Sequence, residues 1–470
     1  MGLAELAARV AAREVSAREL VEEALRRIER LDPPLHAVVG LREQARAEAA
    51  ARDEAAARRD EPAPLAGLPV LVKDVTDVAG MRTTFGSRLF ADAPPAVADG
   101  LIPSRLRAAG AIVVGKTNTP EFATEGYSAN LVFGATANPW NLDATPGGSS
   151  GGSAAALAAG MVPIATAADG GGSVRIPAAW CGLVGFKPTN GVIGRDPVPD
   201  WIDFSTDGPM TTSVADARLL LAVTAGPVNG DPTALPCPVS GVGPPLRRVY
   251  AIPRFADWGP LTAEVAEPFE RALTRVEAAF GVAIEMLEPS DLFGVDNVDE
   301  DWFAIAGPEH AHRLGRITIE ERGEELHPAT LGFLQEGLAV PFEAYLAARR
   351  RRFAYVRAMD ELLGQDAVLC SPVMAAPACS PEGVAADADG PGLGVDAYCT
   401  QAQNMTGHPA ISVPAGRSVD GVPFGLQLTG PRFRDHFVLD LAQAWEQAEP
   451  WPLVADGYAP FDMTGGDDGS

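Results

Sequence analysis

Lys73, Ser149 and Ser173 are the residues of this chain whose types and settings could do chemistry together. Ser149 and Ser173 lie 24 residues apart in two glycine-rich clusters, Gly147-Gly-Ser-Ser-Gly-Gly-Ser153 and Asp169-Gly-Gly-Gly-Ser173. A serine hydroxyl becomes a nucleophile once its proton is removed. Successive glycines let backbone N–H groups converge on an anion, because no Cβ stands in the way. The N–H groups of Gly170, Gly171, Gly172 and Ser173 are therefore the expected oxyanion hole of an acyl-transfer site. The base is read from a compositional bias. Of 37 basic residues only three are lysines, at 73, 116 and 187. Arginine stays protonated at any working pH, whereas a buried lysine can lose its proton. Lys73 follows the apolar run Leu68–Val72, so it should end a strand, where α/β active sites gather. Lys116 and Lys187 are read as structural.

The elements that must position these residues follow from periodicity. Residues 3–59 are rich in alanine, glutamate and arginine and read as a helical cover, with a capping box at Ser16-Ala-Arg-Glu19 and a break at Asp32-Pro-Pro. From Leu65 the texture becomes short apolar runs, 68–72, 111–114 and 162–165, with helical stretches between them. That alternation predicts an α/β sheet covered by helices. Further strands are expected at 249–252, 282–286, 367–369, 411–413 and 425–428, and helices at 262–280 and 342–363. The Arg349–Arg352 run is read as a solvated face. Residues 288–340 are expected to be irregular, 380–395 mobile and 465–470 a disordered tail. The organisation expected is a helical arm over 1–60 and one catalytic domain over 61–464.

Composition narrows the function. An apolar content of 47% and a charged content of 21% describe a globular chain. A net charge of −25 argues against nucleic-acid or anionic-membrane binding. Five cysteines without a CxxC pair argue against a disulfide framework or a zinc site and fit a reducing cytoplasm. The N-terminus has no apolar signal core, and the run 154–168 is too short to span a bilayer. Two motif matches fail on physics. Gly110-Ala-Ile-Val-Val-Gly-Lys-Thr117 has the letters of a P-loop, but its variable positions are themselves a strand. Gly147-Gly-Ser-Ser-Gly151 has the letters of a nucleophile elbow, but Pro146 is poor strand chemistry and only His408 stands in a promising setting.

The chain resembles the amidase signature family of serine amidohydrolases. The likeness rests on Gly67-Leu-Pro-Val-Leu-Val-Lys-Asp74, Gly115-Lys-Thr-Asn118, Asn138-Pro-Trp-Asn141, the two serine clusters with Val174-Arg-Ile-Pro177, and Gly185-Phe-Lys-Pro-Thr189. It resumes at Asn404-Met-Thr-Gly-His-Pro409 and Pro423-Phe-Gly-Leu-Gln-Leu428. The resemblance implies a single large α/β domain with a mixed central sheet and a Ser-cisSer-Lys triad. Ser173 would be the nucleophile, Ser149 the bridging serine on a cis peptide and Lys73 the base, with Ser150, Asp169 and Arg175 in support. Gly170 departs from the threonine or isoleucine usual after the aspartate. The reaction expected is hydrolysis of small apolar or aromatic amides through an acyl-enzyme, with no metal and no organic cofactor. Carbamates and aryl esters are the alternative substrates. A glutaminase subunit of a tRNA-dependent amidotransferase is the alternative assembly, although Ala397 stands where such subunits carry an aspartate and Asp396 is one place off. Phe122, Tyr127, Trp201, Phe204, Trp302 and Phe303 are expected pocket residues, each weighed against core packing. The expected partners are a small amide, carbamate or ester, without nucleic acid or membrane; a homodimer is left open.

Overall fold

Short apolar runs bounded by glycine and proline become buried strands, and the longer amphipathic runs pack over them as helices. The computed structural model describes residues 1–57, 63–198, 201–235, 243–385 and 390–463. Both ends of the expected 61–464 unit, the expected tail, residues 386–389 of the stretch expected to be mobile, and Cys237 lie outside the described residues.

An eleven-stranded mixed sheet forms the centre of a single α/β domain. Its order is Val38–Leu41, Ile112–Thr117, Pro69–Lys73, Ile164–Ala165, Met210–Thr211, Val184–Lys187, Ala410–Arg417, Pro423–Thr429, Ala367–Pro372, Arg248–Ala251 and Ile284–Met286. Pro69–Lys73 runs parallel to both neighbours, and so does Arg248–Ala251. Parallel strands covered on both faces read as continuous apolar runs, which is why Pro-Val-Leu-Val-Lys was visible in the sequence. All five of its residues are buried. The closing strands 410–417 and 423–429 pair antiparallel, with Ile411 opposite Leu428.

Ser16 caps the helix Ala17–Leu31 in the expected box, its hydroxyl accepting from the Glu19 N–H. The N-terminal segment differs from a purely helical cover. Val38–Leu41 joins the sheet as its edge strand, antiparallel to Ile112–Thr117, before the helix Ala45–Ala57 begins. Four residues are too few to show a period of two. The helix Gly151–Ala158 is buried on every side. Gly152 is required there, because a Cβ would stand 2.5 Å from the Asn118 nitrogen and 2.7 Å from the Ala37 oxygen.

Two expectations are corrected. Residues 288–340 contain helices Pro289–Phe293, Val298–Leu314, Arg316–Glu321 and Pro328–Ala339. Pro308 and several glycines hide the helical signal, and packing overrides them. Val298–Leu314 and Pro328–Ala339 cross so closely that a Cβ on Gly337 would meet the Gly307 oxygen at 2.4 Å. The arginines 349–352 are not a solvated face. On the helix Phe342–Leu363, Arg349 bonds Glu309 and Asp203, Arg351 bonds Asp301, and Arg352 donates to the Met405 carbonyl. Arg350 alone of the four is exposed. Among the described residues no helix is long and apolar enough to cross a membrane.

Candidate active site

Lys73 ends its strand with its backbone N–H held by Thr166 Oγ1 at 2.9 Å, and its side chain is only 2% exposed. Its Nζ donates to Ser149 Oγ at 2.6 Å. Burial pushes the ammonium down to about 7, with Asp207 and Asp169 pulling the other way. The neutral amine is thus well populated at neutral pH, as a base requires. Lys116 contrasts with it. Its Nζ donates to Asp74 Oδ1, the Arg82 carbonyl and Thr83 Oγ1 at 2.7–2.9 Å, which ties it to structure. Lys187 is also lowered to about 7 by burial but bonds the Pro188 carbonyl and Asn190.

Ser149 follows a cis peptide bond from Gly148. Gly148 has no room for a side chain, since a Cβ would lie 2.4 Å from the Tyr127 oxygen. The Ser149 carbonyl accepts from Thr119 Oγ1 at 2.9 Å. Ser150 Oγ is buried and has no hydrogen-bond partner among the described residues.

Ser173 closes a loop that its surroundings hold from outside. The Asp169 carboxylate accepts from the N–H groups of Gly172 at 2.8 Å and Val174 at 3.2 Å. Arg175 donates to the same carboxylate at 2.8 and 3.0 Å, and both side chains are fully buried. Burial pushes the Asp169 carboxyl up, yet Arg175 and Asn404 outweigh it and the net shift is downward. Arg175 also donates to Gln427 and Asn404 at 2.7 Å and to Gln403 at 3.2 Å. The Gly170 carbonyl accepts from the Trp302 indole and the Gly171 carbonyl from Thr400. With the carbonyls turned to these partners, the N–H groups of Gly170, Gly171 and Ser173 make no hydrogen bond among the described residues. Of the expected oxyanion set, Gly172 differs in that its N–H donates to Asp169.

Lys73, Ser149, Gly170 and Ser173 line one cavity of about 260 Å³. Ser173 also lines a second, larger cavity of about 510 Å³. Of the six expected pocket residues, Trp302 and Phe303 line the larger cavity, Phe122 the smaller, and Trp201 both. Tyr127 and Phe204 line neither. Tyr127 is fully buried, its ring filling the space beside Gly383, and Phe204 lies in the core under the Arg352 guanidinium. Aromatic type alone does not separate wall from core.

Sequence reasoning gave no role to Thr400, Gln403, Gln427 or Asp207. Gln427 interrupts the apolar strand Pro423–Thr429, a signal that a buried polar partner exists. Asp207 pairs in a short strand with Ala168 and lines the smaller cavity with Lys73. Burial pushes its carboxyl up to about 6, opposed by Lys73 and Arg105. Among the described residues no cluster of His, Cys, Asp or Glu could hold a metal ion.

The family model described as Amidase matches residues 19–439. A Mycobacterium tuberculosis protein named "Putative amidase AmiA2" is 37% identical over 472 residues, covering 96% of this chain and 93% of its own. A glutamyl-tRNA(Gln) amidotransferase subunit of a Cyanothece species is 34% identical, covering 95% and 98%. The crystal structure of a bacterial aryl acylamidase of the amidase signature family superposes with a TM-score of 0.86 at 28% identity, over 96% of each chain.

Proposed function

Because the chain belongs to the amidase signature family and is an amide C–N hydrolase, we propose that it cleaves small apolar or aromatic amides through a Ser173 acyl-enzyme. The observation that carries this reading is the Lys73–Ser149 hydrogen bond in a cavity shared with Ser173. Neutral Lys73 takes a proton from Ser149 as Ser149 takes the proton of Ser173. The Ser173 oxygen attacks the amide carbon, and the N–H groups of Gly170, Gly171 and Ser173 receive the oxyanion. The protonated lysine returns its proton through Ser149 to the amine as the C–N bond breaks. Water then attacks the acyl-enzyme over the same relay and releases the acid. Asp169 and Arg175 support the Ser173 loop without touching substrate.

An apolar acyl group is favoured by the aromatic walls of the larger cavity, Trp201, Trp302, Phe303 and Phe333, and by Glu125, whose carboxyl burial pushes up to about 8; Glu300 and Glu336 add carboxylates to the same lining, which holds no Lys, Arg or His among the described residues. The glutaminase reading draws on the 34% identity to the Cyanothece amidotransferase protein. Against it, Asp396 is not among the residues lining either cavity. Buried free thiols at Cys181, Cys370, Cys379 and Cys399 suit a reducing cytoplasm. A screen of anilides, primary amides including glutamine, carbamates and nitrophenyl esters tests the assignment. Turnover should be highest with the anilides of apolar acids. Turnover highest with glutamine would favour the amidotransferase reading, and turnover confined to carbamates or esters would reassign the leaving group.

A further inference from the structure

The two cavities meet at the nucleophile. Of their lining residues only Ala123, Ser173 and Trp201 are shared. Consecutive glycines divide between them, Gly170 on the smaller and Gly171 on the larger. Gly170 has no room for any side chain: a Cβ would stand 1.9 Å from Cε3 of Trp201. Trp201 is nearly buried and meets Trp302 edge-to-face at 5.5 Å, while Trp302 holds the Gly170 carbonyl. A buried indole N–H ordinarily finds a partner. That of Trp201 has none among the described residues.

We propose that Trp201, seated on Gly170, is the partition that splits the substrate site into an acyl lobe and an amine lobe. The inference rests on the reading of Ser173 as nucleophile and Lys73 as base. The direction follows from the proton path. The leaving amine must receive a proton from the Lys73–Ser149 relay, and both relay residues line only the smaller cavity. The amine therefore leaves through the smaller lobe, of about 260 Å³, and the acyl group occupies the larger, of about 510 Å³. The substrate class is an amide with a bulky apolar acyl half and a compact amine half, bent across Ser173.

Two substrate series separate the lobes: p-nitroanilides of acids from acetic to octanoic and benzoic, and butyramides of amines from methylamine to naphthylamine. Phe303 lines only the acyl lobe and Leu101 only the amine lobe. Phe303→Ala should change kcat/KM ratios along the acyl series by about tenfold or more, the scale of one or two methylenes in an apolar pocket, and leave amine ratios within about twofold. Leu101→Ala should do the reverse. Trp201→Ala should change both series, and Gly170→Thr should reproduce its pattern by displacing the indole. If Trp201→Ala does not fold, Trp201→Phe carries the same expectation in smaller measure. Exchanged effects for Phe303 and Leu101, or unchanged ratios in folded Trp201 variants, would overturn the proposal. Failure of the underlying reading looks different: Ser173→Ala would keep its turnover, and a fluorophosphonate would label another residue.

Discussion

Replacing Lys73 by arginine keeps a positive charge in the site but removes the group able to accept a proton. With Lys73 held near 7, about half of the enzyme carries the neutral amine at pH 7. An arginine ionising above about 12 is neutral in fewer than roughly one molecule in 10⁵ at that pH. Losing a general base lowers rates by ~10²–10⁴-fold, and Lys73→Arg should fall by at least that much in kcat/KM with an anilide. The pH profile is the sharper readout. Wild-type kcat/KM should decline about tenfold per unit as pH falls below about 7, and that limb should be missing from the variant. Lys116→Arg should lose far less, since Lys116 is held by three acceptors away from the serines. Thermal melting must show both variants folded, because Lys73 is enclosed and a guanidinium is larger. A folded Lys73→Arg enzyme within a few-fold of wild type would refute the base role and leave the lysine only a hydrogen-bond donor to Ser149.

Arg175→Met should lower stability by about 3–5 kcal/mol in chemical denaturation, because it strands the fully buried Asp169 carboxylate. Its activity should fall as well, since that carboxylate anchors the Gly172 and Val174 N–H groups beside Ser173. Lys73→Met should be inactive yet melt higher than wild type below pH 7. The folded protein holds the Lys73 proton to about 7 and the unfolded chain to about 10.4, so this lysine's stability contribution rises with pH across that window, and removing it helps most beneath it. Dialysis against EDTA should leave kcat/KM unchanged, and a loss restored by zinc or nickel would contradict the serine mechanism.

The sheet, and the meeting of Lys73, Ser149 and Ser173 at one cavity, were legible because their signals are local. Pro69–Lys73 is a continuous apolar run with a charge at its end, and glycine clusters announce close backbone approach wherever they occur. Signals that depend on a distant partner were not legible. The helices at 298–314 and 328–339 contain glycines and Pro308 that argue against helix until Gly307 and Gly337 are seen in contact. The arginines 349–352 looked solvated because their partners Asp203, Glu309 and Asp301 lie 40 or more residues away. Tyr127 and Trp302 read alike as large aromatics, yet one is core and the other lines a cavity and holds the Gly170 carbonyl. The hydrogen bond from the Gly172 N–H to Asp169 was not legible either, since only the folded loop turns that carboxylate onto the glycine.

The central claim is that Ser173 carries the acyl group. Rapid acid quench of the enzyme with a slowly turned-over nitrophenyl ester, followed by peptide mass spectrometry, reads this directly. The account predicts one acyl adduct per chain, on the peptide holding Ser173, lost in Ser173→Ala and slowed at least ~10²-fold in Lys73→Arg. An adduct on Ser149, Ser150 or Ser153, or full turnover by Ser173→Ala, would contradict it.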